Sequence, residues 1–97
     1  MNKEIIDTFE IPEDIAKELS ELLIKQNIRE RVLATVAGEP DKYNEIEKSL
    51  IPIVGRIEAI KSDITIHHVP AKYRKDEYSW NFNGYDVSGC YCQIMKN

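Results

Sequence analysis

Seven apolar residues set the terms for this chain. Tyr43, Ile46, Leu50, Ile53, Ile57, Ile60 and Ile64 recur at alternating spacings of three and four. An unbroken pattern of that kind lies along one side of an α-helix and calls for a long apolar partner. The spacing predicts a helix from about residue 41 to 62. Ile51 and Val54 fall beside the stripe and widen it. Pro52 lies inside it, where a proline removes one helical hydrogen bond and crowds the carbonyl four residues back, at about 3 kcal/mol. A kink at Pro52 is therefore expected, with Gly55 adding looseness nearby.

The partner is read upstream. Pro12 suits the first turn of a helix, and Glu13 and Asp14 suit the positive end of its dipole. Apolar residues then recur at Ile15, Leu19, Leu22, Leu23, Ile28, Val32, Leu33 and Val36, interrupted by Gln26 and Arg29. This predicts a helix over 12–37, with Gly38 as its C′ residue and Pro40 as a stop. A connection of a few residues forces the two helices antiparallel. Residues 1–11 form an N-terminal arm, extended or a short strand, carrying Ile5, Ile6, Phe9 and Ile11.

The last third has a different period. Six of the eight aromatic residues lie between Tyr73 and Tyr91, and Tyr78, Trp80 and Phe82 alternate with Ser79 and Asn81. That is strand periodicity, and Asn83-Gly84 follows as a hairpin turn signal. A two-residue turn pairs Phe82 with Tyr85. A second turn at Ser88-Gly89 then pairs Tyr85 with Cys92. Every pair leaves Tyr78, Trp80, Phe82, Tyr85, Val87, Cys90, Cys92 and Ile94 on one face. The terminal strand Cys90–Met95 would then offer an open edge. Ile64–Val69 either adds a strand or extends the second helix. The fold class expected is α+β within one domain, 1–97: the arm (1–11), an antiparallel αα-hairpin (12–63) whose second helix is kinked at Pro52, and a three-stranded antiparallel β-meander (64–97).

Charge and composition narrow the function. Acids outnumber bases 17 to 13, and the only basic cluster, Lys72, Arg74 and Lys75, runs straight into Asp76 and Glu77. A protein that meets phosphates along a duplex shows a basic face, so nucleic acid is not an expected partner. At 42% hydrophobic and 31% charged residues the chain is neither low-complexity nor wholly disordered. No apolar run reaches the roughly 18 residues of a membrane span. The N-terminal stretch lacks the apolar block of a secretory leader, so the expected location is the cytoplasm, with both thiols reduced.

Catalytic signals are lacking. The sequence holds no phosphate-cradling glycine loop, no H-E-x-x-H and no EF-hand loop. Cys90 and Cys92 form C-x-C, but the other ligand candidates, His67 and His68, are adjacent and would point apart on a strand, so no metal or other cofactor is expected. Two function classes remain. The first is a non-enzymatic interaction module, homo-oligomeric and acting as an adaptor or inhibitor of a larger protein. It rests on the apolar faces Ile51/Val54 and Leu23/Ile28, which a chain this small cannot cover itself. The second is a small-ligand binder, nucleotide-like in its ligand, with Trp80, Tyr85 and Arg74 or Lys75 lining a pocket between protomers. The candidate binding residues are Tyr73, Arg74, Lys75, Tyr78, Trp80, Tyr85 and Tyr91. A helical hairpin followed by aromatic strands is also a layout met in small bacterial or phage accessory proteins, from which no functional residue is carried over.

Overall fold

The computed structural model describes residues 4–82, 84 and 90–97. Its elements are β1 (Ile5–Glu10), α1 (Glu13–Thr35), α2 (Pro40–His67), a short 3-10 turn (Ala71–Tyr73), β2 (Tyr78–Phe82) and β3 (Tyr91–Lys96). The architecture is α+β: two antiparallel helices and one open three-stranded antiparallel sheet, ordered β1-β3-β2.

α1 starts just after Pro12 and carries Glu13 and Asp14 in its first turn. Pro40 does not stop the first helix; it occupies the first turn of α2, where its missing N–H costs nothing. Gly38 is not in the left-handed region, and the end of α1 is closed instead by the Val36 N–H donating to the Val32 and Leu33 carbonyls. α2 is longer than its expected 41–62. It runs on to His67, because Ile64 continues the stripe and is completely buried only if the helix continues. Residues 64–67 are thus helix and not part of the sheet.

The sheet departs from the expected meander in its pairing. Phe82 stands opposite Cys92, and β2 pairs directly with β3; the expected pair of Phe82 with Tyr85 falls outside the described residues. The third strand is the N-terminal arm, which pairs with β3 on its other side, Phe9 opposite Cys92 and Glu10 opposite Tyr91. The arm wins this place because it brings Phe9 and Ile11 into the core, both buried. β3 is consequently the central strand, and among the described residues the open edges belong to β1 and β2. For the described residues Trp80, Phe82, Cys92 and Ile94 the face assignment survives the change of register. Residues paired across strands share a face, so Phe82 and Cys92 stay on one side whether or not a strand intervenes. Gly84 has φ +93°, the left-handed conformation a turn there requires. Asn83 and the expected strand over 85–89, Tyr85 included, lie outside the described residues.

The core sits at one end of the helical hairpin. Phe9, Ile11, Ala16, Leu19, Ile57, Ile60, Ile64, Val69, Cys92 and Ile94 form a single buried cluster. Glu18 and Arg56 fix the helix register there, with Nε and Nη2 of Arg56 each donating to a Glu18 carboxylate oxygen at 3.0 Å. No residue between Leu19 and Ile57 is buried. Over that stretch the hairpin continues as a two-helix arm, whose near end still adjoins the sheet where Ser20, Leu23, Ile24 and Asn27 line a groove with Phe82 and Gly84, and the described residues extend 47 × 32 × 24 Å.

Candidate functional site

Two surfaces compete for the functional role, and the first is a groove at the base. Chain topology brings together five of the seven candidate binding residues. Tyr73, Arg74, Lys75, Tyr78 and Trp80 line one open groove of about 300 Å³, between the end of α2 and the start of β2. Strand alternation puts Tyr78 and Trp80 on the helix-facing side of the sheet, and the 3-10 turn swings Tyr73 against them. Tyr91 alternates with buried Cys92 and lies on the other face.

Most polar handles in this groove are already engaged within the chain. The Trp80 indole N–H donates to the Thr65 hydroxyl at 3.0 Å. The Tyr73 hydroxyl donates to the Asp7 carboxylate at 3.0 Å, and Arg74 Nε donates to the Val69 carbonyl at 2.8 Å. The rings pack on each other edge-on: Tyr73 on Tyr78 at 5.1 Å, and Trp80 on Phe9 at 6.0 Å between centroids. Asp7 accepts from the Thr8 N–H and the Tyr73 hydroxyl, which together hold its carboxyl below the usual value. These contacts tie the turn and β2 to β1 and α2. Arg74 and Lys75 lend the groove positive charge, offset in part by Asp76. A second groove of about 480 Å³ lies on the far side of the Trp80–Thr65 bond, lined by Leu23, Glu58, Lys61 and Phe82 among others.

The second surface is the arm. The half-buried inner stripe of α2 there, Tyr43, Ile46, Leu50 and Ile53, faces a half-buried Gln26, Arg29, Leu33 and Val36 on α1. Outside this seam lie large exposed apolar residues: Ile51 at 67%, Ile24 at 57% and Ile28 at 55%, with Val32 and Val54 also exposed. Of the two apolar faces singled out from sequence, Ile51/Val54 is exposed, whereas Leu23/Ile28 divides: Ile28 is exposed and Leu23 packs against the core. Ile24 was not singled out, and Val32 was placed in the apolar stripe of α1, not on its exposed side. Their signal was present in the four-residue spacing Ile24–Ile28–Val32, a row along one side of a helix.

Cys92 is fully buried at the centre of the sheet, and burial pushes its thiol up to about 12. Cys90 is half-buried. His67 lies 3.5 Å from Asp63 on the exposed end of α2. Among the described residues no three His, Cys, Asp or Glu side chains gather as a metal site. No helix among them is long and apolar enough to cross a membrane. Comparison with protein-family models, with curated proteins and with solved structures finds no match to this chain.

Proposed function

We propose that this protein is a small non-enzymatic interaction module that works as a homo-oligomer, presenting its helical arm for association and acting as an adaptor or inhibitor of a larger protein. One observation carries the reading: the arm between Leu19 and Ile57 buries no residue, while its outer surface holds Ile24, Ile28, Val32, Ile51 and Val54 in water. Each large aliphatic side chain moved from water into a packed contact contributes roughly 1.5–3 kcal/mol. Five on one short arm represent a large unrealised gain. The groove around Trp80 supports the small-ligand reading less well, because Trp80, Tyr73 and Arg74 spend donors on Thr65, Asp7 and Val69. Light scattering of the purified chain at micromolar concentration tests the proposal. A mass of at least twice 11.2 kDa is expected, falling towards 11.2 kDa in the double variant Ile24→Ser/Ile51→Ser. A monomer in the unmodified protein would overturn it.

A further inference from the structure

The two outer strands end the sheet differently. Along an antiparallel ladder, hydrogen-bonded residue pairs alternate with pairs whose backbone groups point away. On β1 the Ile11 N–H donates to the Cys90 carbonyl at 2.9 Å. By that alternation the N–H and C=O of Asp7 and Phe9 face β3, and those of Thr8 and Glu10 face outwards. This edge is guarded. The Asp7 carboxylate, itself held by the Tyr73 hydroxyl, accepts the outward Thr8 N–H at 2.8 Å, and the register shifts between Ile5 and Asp7. A charge and a bulge close an edge to a further strand. On β2 the Asn97 N–H donates to the Glu77 carbonyl at 2.8 Å, so Ser79 and Asn81 face β3 while Tyr78, Trp80 and Phe82 face outwards. The Lys75 carbonyl takes the Tyr78 N–H. The backbone N–H and C=O of Trp80 and Phe82 bond to no other described residue.

The unguarded edge opens on a groove. Trp80, Asn81 and Phe82 all line the groove of about 480 Å³, with Lys61 and Ser62 of α2 and Leu23 of α1. Side chains of consecutive strand residues point to opposite faces, so three in a row share one groove only where the backbone edge forms its wall. We infer that this groove takes an extended segment of a partner protein, added to β2 as a fourth strand between it and α2. Two sets of N–H and C=O groups two residues apart, about 6.8 Å at the rise of a strand, match the backbone of another extended chain. Leu23 and Phe82, half-buried against the core, call for aliphatic side chains at alternate positions of that segment. A second copy offers no such strand among the described residues: its β3 is paired on both sides, its β1 edge is guarded, and its β2 has α2 alongside. The inference rests on the adaptor half of the reading above and not on self-association.

Random dodecapeptides displayed on phage and selected on the full chain supply the probe. Enriched peptides are expected to alternate aliphatic and polar residues. Methylating alternate amide nitrogens of the synthetic peptide in one frame, and not in the other, should weaken binding about tenfold or more, because backbone hydrogen bonds are lost. By NMR, the Trp80 and Phe82 amides should exchange readily in the unbound protein and about tenfold or more slowly with peptide bound, while those of Ser79 and Asn81 stay protected throughout. Ser62→Trp, on the exposed side of α2, should fill the groove and weaken binding about tenfold or more. A library without binders, peptides that protect other residues, methylation without effect in either frame, or Trp80 and Phe82 amides already protected in the unbound protein would each overturn the inference. Full binding by a folded Ser62→Trp variant would do the same. Should that variant fail to fold by circular dichroism, the methylated peptides and the amide pattern still decide. A monomeric protein, which overturns self-association, leaves each of these results standing.

Discussion

The base and the arm of this molecule share one stripe of residues and treat it differently. Ile57, Ile60 and Ile64 are buried, while Tyr43, Ile46, Leu50 and Ile53, in the same row of α2, are only half so. The helix is continuous from Pro40 to His67, and its apolar spacing does not change. What changes is the layer above it. At the base a sheet of three strands closes over the hairpin and completes the core with Phe9, Cys92 and Ile94. On the arm two helices have only each other. A pair of helices can bury the seam between them but not the flanks of that seam, so Ile28, Val32 and Ile51 remain in water. Periodicity thus specifies which side of a helix is apolar, and the number of layers specifies how deeply that side is buried.

The largest expected effect sharpens this contrast. Ile64→Ala deletes a fully buried side chain at the base and should cost about 2–5 kcal/mol in a urea melt. Ile51→Ala on the arm, measured on dilute protein, should stay within about 0.5 kcal/mol. Equal losses at the two sites would erase the distinction between base and arm.

A gain is expected at Pro52, which is exposed inside α2 and leaves the Lys48 carbonyl without its helical donor. Pro52→Ala should stabilise the protein by up to about 3 kcal/mol, read as a higher urea midpoint. A destabilised Pro52→Ala would mean that the proline ring contributes more to the fold than its missing N–H costs.

The smallest effect belongs to the base alone and concerns acid. Asp7 is held below its ordinary value of 3.8 by the Thr8 N–H first and the Tyr73 hydroxyl second. A carboxyl that binds protons less readily when folded stabilises the fold above its unfolded pKa, and that contribution is lost as pH falls through the lowered one. Unfolding free energy should therefore decline below pH 3.8 more steeply in the natural protein than in Asp7→Asn. Identical acid profiles would show that the Tyr73–Asp7 contact does not persist in solution.

Much of the base was legible in the sequence because its signals are local. The 3–4 spacing gave α2, Pro12 with Glu13 and Asp14 gave the start of α1, and the alternation Tyr78-Trp80-Phe82 gave β2. The pairing of strands was not legible, because β1 and β3 are more than 80 residues apart and nothing near either announces the other. The arm strand entered the sheet through Phe9 and Ile11, whose alternation with Glu10 admitted a strand without requiring one. In the groove, Tyr73, Arg74 and Lys75 could be grouped with Tyr78 and Trp80 by proximity in sequence. That Asp7, Thr65 and Val69 would engage them depended on tertiary packing. Ile24 and Val32 were hidden by a different cause: their spacing is that of a core face, and only the layer count decides that it stays outside.

Amide hydrogen exchange followed as a function of protein concentration tests the central claim most directly, because it reads base and arm in one sample. Protection in the base should be set by the core and should not vary with concentration. Protection over residues 24–54 should be low in dilute protein and rise as the concentration passes the dissociation constant, since only a partner covers the arm. An arm whose protection stays constant over the whole range, at any level, would contradict the account.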